Sequence, residues 1–215
     1  MTHYNFVTIE GNIGAGKTTL ATKLAEEYNA RLILEQFADN SFLPKFYENP
    51  AKYAFALELS FLAERFQQLK NELAKQDIFQ PKIVSDYYFL KSLIFAKANL
   101  EEDEYGLYSR LFQIINDSLP KPDLFVYLYQ DINRLQTNIK KRGRSYEQNI
   151  TDEYLIKIQT TYFDYIKQMK ELRILIIDVN SIDFAANQQH YNNLSHIINQ
   201  PYEIGITRIS AGEKF

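Results

Sequence analysis

Short apolar runs alternate along the chain with longer segments of helical period. Five runs read as strands: Tyr4–Glu10, Arg31–Gln36, Lys82–Ser85, Asp123–Tyr129 and Arg173–Asp178. Each is short and rich in Ile, Val, Leu or Tyr, as buried parallel strands tend to be. Between them the spacing predicts helices over Lys17–Tyr28, Tyr53–Lys75, Tyr88–Ala98, Tyr105–Ser118, Asn133–Lys141, Asp152–Leu172 and Phe184–Ile198. This alternation predicts an α/β fold with a parallel sheet and right-handed crossovers. The segment 201–215, with Gly205 and Gly212 and no clear period, reads as a short strand or a loosely held tail.

Composition narrows the class without naming it. The chain has 215 residues, 46% hydrophobic and 24% charged, enough for a full core in one domain and too apolar for a mainly disordered chain. A formal net charge of −3 excludes a protein that wraps a nucleic-acid polymer through overall positive charge. Without cysteine there is no disulfide framework, thiolate metal site or cysteine nucleophile. The apolar run Phe6–Ile9 is too short for a secretory leader, and no apolar stretch approaches the ~20 residues of a membrane span. A soluble cytoplasmic protein with no membrane partner is expected.

The chemistry begins at Gly11-Asn12-Ile13-Gly14-Ala15-Gly16-Lys17-Thr18, which fits G-x-x-x-x-G-K-[ST] between a predicted strand and a predicted helix. The glycines let the backbone curl so that several N–H groups point at one phosphate, and the helix N-terminus adds partial positive charge. Lys17 reaches the β- and γ-phosphates as a point charge, and the Thr18 hydroxyl suits Mg²⁺. Thr19 completes the candidate nucleotide-binding set. A second basic segment, Lys140 to Gln148, ends a predicted helix. Lys140 and Lys141 read as a solvated end that complements the helix dipole. Arg142 and Arg144 flank Gly143 and read as a lid (about 140–149) whose two forked guanidiniums close over a transferring phosphoryl group.

Glu35 and Asp86 each follow a predicted strand, at the end where ligands collect in an open parallel sheet. A carboxylate there accepts the proton of an attacking hydroxyl or holds Mg²⁺, or it is simply a cap or turn residue. Glu58 and Arg65 are seven apart on one helix face. By spacing they read as two solvated charges, or as a grip on a base or sugar sandwiched by Phe and Tyr.

The chain resembles the deoxynucleoside kinases, especially bacterial deoxyadenosine and deoxyguanosine kinases, from about Phe6 to Ile198. The resemblance is carried by Ile9-Glu10-Gly11 through Thr18, by Asp39-Asn40-Ser41-Phe42-Leu43-Pro44-Lys45-Phe46-Tyr47, by Lys141-Arg142-Gly143-Arg144 with Glu147-Gln148, and by Ile177-Asp178-Val179-Asn180 with Asp183-Phe184. It implies a P-loop, three-layer fold with a five-stranded parallel sheet in the order 2-3-1-4-5, and a homodimer. It implies ATP with Mg²⁺ as donor, a small nucleoside as acceptor and a place in nucleotide salvage. By position, Glu35 would deprotonate the sugar 5′-hydroxyl, Tyr47 and Glu147 would hold the 3′-hydroxyl, and Glu58 and Arg65 would face the nucleobase. Thr18 and Asp86 would manage Mg²⁺, Arg142 and Arg144 would clamp the phosphates, and Asp183 and Phe184 would lie beside the donor adenine. Four positions depart from the family pattern. Tyr87 replaces the arginine that usually follows the acid after the third strand, with Lys91 one helical turn beyond it. Glu58 replaces a base-reading glutamine, Ser92 a frequent aspartate, and Asn138 a frequent lid arginine.

The leading expectation is ATP-dependent phosphorylation of a deoxyribonucleoside 5′-hydroxyl, with purines favoured. Two alternatives stay open: a kinase on a related small hydroxyl substrate, and a weakly catalytic nucleotide-binding sensor or partner module.

Overall fold

The computed structural model describes residues 1, 3–36, 40–75 and 79–212. Asp39 of the segment Asp39–Tyr47, and residues 213–215 of the tail, lie outside the described residues. In chain order the elements are β1 (Phe6–Gly11), α1 (Lys17–Glu27), β2 (Arg31–Ile33), α2 (Phe42–Glu48), α3 (Pro50–Ala74), β3 (Ile83–Ser85), α4 (Leu90–Asn99), α5 (Glu102–Asn116), β4 (Leu124–Tyr129), α6 (Ile132–Arg142), α7 (Asp152–Ile166), β5 (Arg173–Asp178), α8 (Gln188–Ile198) and β6 (Gly205–Ser210). A 3₁₀ turn at Ser145–Glu147 follows α6. Among the described residues no helix is long and apolar enough to cross a membrane.

One compact unit spans Met1–Leu34, Asp77–Tyr88 and Pro122–Phe215. Its sheet runs β2-β3-β1-β4-β5-β6, and every neighbouring pair is parallel. β1 is buried along its whole length and β4 along all but its last residue, which is why both read as unbroken apolar runs. Leu20, Ala21, Leu24 and Ala25 form the buried face of α1. The sheet has six strands, one more than expected. Gly205–Ser210 pairs with β5 in register from Arg173↔Gly205 to Asp178↔Ser210. Its residues alternate between half-buried and exposed along most of its length, so it is an edge strand defined by its ladder and carries no apolar run. The helix predicted over Asp152–Leu172 ends earlier, at Ile166. There the Gln168 N–H donates to the Tyr165 carbonyl and the Met169 N–H to the Ile166 carbonyl, a three-residue spacing that tightens the last turn before β5 begins. The first, third and fifth strands place Gly11, Asp86 and Asp178 at their carboxyl ends, the ligand edge of such a sheet.

The second unit spans Glu35–Gln76 and Phe89–Lys121, and its elements are the helices α2 to α5. The helix expected over Tyr53–Lys75 is α3, which starts earlier, at Pro50, and α2 precedes it. Pro50 occupies the first position of α3, where its missing N–H costs nothing, and the Asn49 side chain caps the Lys52 N–H at 3.3 Å. Phe46, Ala54, Leu57 and Phe61 form a small core, with Tyr47, Tyr53 and Leu100 packed against it. The Phe89 and Phe112 rings stack at 4.8 Å.

Candidate active site

In the sheet-bearing unit, β1 delivers its chain into the phosphate loop. Gly14 and Gly16 take φ of 83° and 85°, and a Cβ would stand 2.8 Å from the Leu135 carbonyl oxygen at the first and 2.7 Å from the Phe184 ring at the second. Only glycine fits both constraints. Asn12 braces the loop: its Nδ2 donates to the Leu155 carbonyl at 2.8 Å and its Oδ1 accepts the Ile13 N–H at 2.8 Å. Lys17 Nζ donates to the Asn12 carbonyl at 2.8 Å, which holds the ammonium across the loop. α1 starts at Lys17 without a side-chain cap, so its first N–H groups suit a phosphate.

A cavity of about 620 Å³ opens over this loop, within the usual size of a small-ligand site. Gly14, Ala15, Gly16, Lys17, Thr18 and Thr19 line it, as do Arg142, Arg144, Asp183 and Phe184. Arg134, Asn138 and Lys141 line it from α6 as well. Lys141 therefore lines this cavity, where the sequence suggests only a solvated helix end. Arg134 was not anticipated at all; its signal is the spacing of Arg134, Asn138 and Arg142, which share one helix face at i, i+4 and i+8. Asn138, in place of a frequent arginine, donates to the Gly14 carbonyl at 2.9 Å and to Gln130 Oε1 at 3.0 Å, tying α6 to the loop. Asp183 Oδ1 accepts the Ala186 and Ala185 N–H groups at 3.0 and 3.1 Å, and the Ala186 bond leads in holding its carboxyl below the usual range. His190 Nδ1 accepts the Asp183 N–H at 2.9 Å and so fixes the turn that carries Phe184.

Gly143, at φ 72°, ends α6 in the left-handed region. Beyond it, the buried Glu147 carboxylate accepts from Arg142 Nη2 and, at 3.3 Å, from Arg144 Nη1. One carboxylate thus aligns both guanidinium forks. Thr18 Oγ1 donates to Asp86 Oδ2 at 2.5 Å. Two hard oxygens side by side fit Mg²⁺, which takes one or two protein oxygens and completes its shell with phosphate and water.

The helical unit holds a separate cluster. Glu35 accepts from Lys91 Nζ at 2.5 Å on one oxygen, and on the other from Arg65 Nε at 2.9 Å and Nη2 at 2.8 Å. Arg65 Nη1 donates to Ser92 Oγ at 3.0 Å, so the serine that replaces a frequent aspartate receives the third guanidinium contact. Burial alone would push the Glu35 carboxyl up, but Lys91 and Arg65 outweigh it and hold the value at about 2. Glu58 accepts from Asn99 Nδ2 at 2.6 Å. Burial pushes its carboxyl up to about 7 against the pull of Arg65 and Asn99. Tyr47 sits on α2, its ring edge-on to Phe46 at 5.4 Å. Within this unit the fold therefore brings Glu35, Arg65, Lys91 and Ser92 into one hydrogen-bonded group. Arg65 donates to Glu35 and Ser92, while Glu58 accepts from Asn99.

A parallel sheet with a phosphate loop after its first strand, and Arg142 and Arg144 lining the same cavity, fits the P-loop kinase class. Residues 7–201 match the deoxynucleoside kinase family, and the chain belongs to that family. It is 36% identical over 197 residues to a deoxyguanosine kinase of Bacillus subtilis, covering 88% of this chain and 94% of that one. It is 32% identical over 199 residues to a deoxyadenosine kinase of Dictyostelium discoideum, covering 92% and 79%. Among solved structures, a deoxyadenosine kinase from M. mycoides with bound dATP superposes with a TM-score of 0.78 at 23% identity, over 90% of this chain and 99% of that one. That likeness shows the fold.

Proposed function

We propose that the protein transfers the γ-phosphate of ATP to the 5′-hydroxyl of a purine deoxyribonucleoside, a step of nucleotide salvage. The observation that carries the acceptor half is Glu35, a buried carboxylate kept ionised by Lys91 and Arg65. An ionised carboxylate is what orients a hydroxyl and takes its proton. The names of the Bacillus and Dictyostelium relatives, deoxyguanosine and deoxyadenosine kinase, support a purine acceptor.

In this reading Lys17 and the loop amides bind the donor phosphates, and Arg142 and Arg144 balance the charge spread over the transferring group. Mg²⁺ brought with the nucleotide would be held through Thr18 and Asp86 and would neutralise phosphate charge. Asp183 and Phe184 would flank the donor base. Tyr47 and Glu147 would hold the acceptor's 3′-hydroxyl, and Glu58 and Arg65 would face its base. No covalent intermediate is needed, since positioning and charge stabilisation suffice for a loose transition state.

The test is ATP–Mg²⁺ phosphoryl transfer to a panel of ribo- and deoxyribonucleosides. Transfer to purine deoxynucleosides, lost in Lys17→Ala, is expected. ATP binding with no transfer to any nucleoside would favour the nucleotide-binding module instead.

The homodimer also belongs to this reading. Leu107, Leu111 and Ile114 of α5 are exposed at spacings of four and three, with Ile114 76% exposed, and they form one apolar helix face. A second copy of the chain would cover it. Light scattering is expected to return the mass of two chains, falling to one in Ile114→Glu.

A further inference from the structure

We infer that Glu58 selects guanine over adenine, by accepting hydrogen bonds from the N1–H and 2-amino groups that guanine presents and adenine lacks. The inference rests on the nucleoside kinase reading above and names the base it prefers.

Glu58 is 1% exposed. Its Oε1 takes the Asn99 amide, but its Oε2 is buried and has no hydrogen-bond partner. A buried carboxylate oxygen without a donor is costly, and in a working site a ligand can supply the missing donor. The neighbouring polar groups direct their hydrogen bonds elsewhere. Arg65, on the same helix, directs Nε and Nη2 to Glu35 and Nη1 to Ser92. Lys91, on α4, is paired with Glu35. Tyr108, on α5, donates its hydroxyl to the Glu58 backbone carbonyl at 3.2 Å. Glu58 Oε2 is an acceptor that this cluster leaves unserved.

A carboxylate has no proton to give, so it discriminates between purines by their donors. Guanine brings two parallel N–H groups, a match for a two-oxygen acceptor. Adenine brings an amino group beside the N1 lone pair, and that lone pair would face a carboxylate oxygen. Hypoxanthine keeps the N1–H and lacks the 2-amino group, so it falls between them. Discrimination then comes from a contact that fits one base and repels the other. The protonated form of Glu58 offers one donor and one acceptor, the pattern adenine can use. Because burial raises this carboxyl to about 7 against Arg65, Asn99 and Lys91, with Glu35 adding to the rise, acidification moves the site toward accepting adenine.

The experiment measures kcat/KM for deoxyguanosine, deoxyinosine and deoxyadenosine with the native protein and with Glu58→Gln, at pH 6 and pH 8. At pH 8 the native protein is expected to favour deoxyguanosine over deoxyadenosine on the order of 10- to 100-fold, with deoxyinosine between. That ratio is expected to narrow at pH 6. It is also expected to narrow in Glu58→Gln, whose amide offers an N–H to adenine N1. Equal use of the two purines by the native protein, or a ratio that neither pH nor the substitution moves, would overturn the inference alone. If a thermal melt shows that Glu58→Gln does not fold, the pH dependence of the native ratio decides. Transfer to no nucleoside, with ATP still bound, would overturn the kinase reading as well.

Discussion

Replacing Glu35 by Gln is expected to lower kcat for phosphoryl transfer by about 10²- to 10⁴-fold, the range for loss of a positioned proton acceptor. ATP affinity should be unchanged, because the cavity over the phosphate loop is lined by Lys17, Arg142, Arg144 and their neighbours and not by Glu35. The amide keeps the size of the side chain and one hydrogen-bond acceptor, so the loss would fall on proton transfer and on charge. Charge also sets a second readout. Glu35 faces two buried cations, and neutralising it leaves Lys91 and Arg65 without their counter-ion, a change that destabilises a folded protein by several kcal/mol when it is complete. A lowered melting temperature with retained ATP binding and lost turnover is therefore the expected combination. Turnover near the native rate would remove Glu35 from the role of base.

How much of this was legible in the sequence follows from where each signal resides. The phosphate loop was, because its glycines and Lys17 are contiguous and its flanking strand, buried throughout, is an unbroken apolar run. Glu35 and Asp86 were legible as acids that follow short apolar runs, although β2 and β3 are only three residues long and partly buried. The edge strand Gly205–Ser210 was ambiguous, because only its ladder with β5 defines it. The end of α7 was misplaced because no glycine or proline marks it, and the chain turns there to enter β5. Arg134 was missed because a charge on an amphipathic helix reads as solvated until something shows which side carries the cavity. The Glu35 cluster is tertiary: its bonds span 30 residues to Arg65 and 56 to Lys91. Spacing predicted that Glu58 and Arg65 share a helix face, but which acid Arg65 serves depends on how Glu35 and Ser92 are brought to it.

Lys91→Ala is expected to lower kcat by about 10²- to 10³-fold, the usual effect of removing one charged or hydrogen-bonding group from around a reacting oxygen. The family places an arginine directly after the acid of the third strand; here Tyr87 stands at that position, fully buried. Lys91, four residues on, supplies a cation to Glu35 at 2.5 Å, and it is the leading charge that lowers the Glu35 carboxyl against its burial. This gives the substitution a signature that simple loss of packing would not produce. In the native protein Glu35 titrates near 2, so the acid limb of kcat that it controls lies below the range of a practical assay. Without Lys91 its pKa rises, and kcat is expected to fall on an acid limb that has moved up in pH. Stability follows the same sign. Since the folded-state value lies below the ordinary 4.5, Glu35 contributes stability that is present above about pH 4.5 and is lost as pH falls toward 2. The shift corresponds to about 3 kcal/mol at neutral pH. Lys91→Ala should lose part of that at neutral pH and less of it in acid. An unchanged kcat, or a reduced kcat whose pH profile stays where the native one lies, would assign the missing arginine's work to another residue.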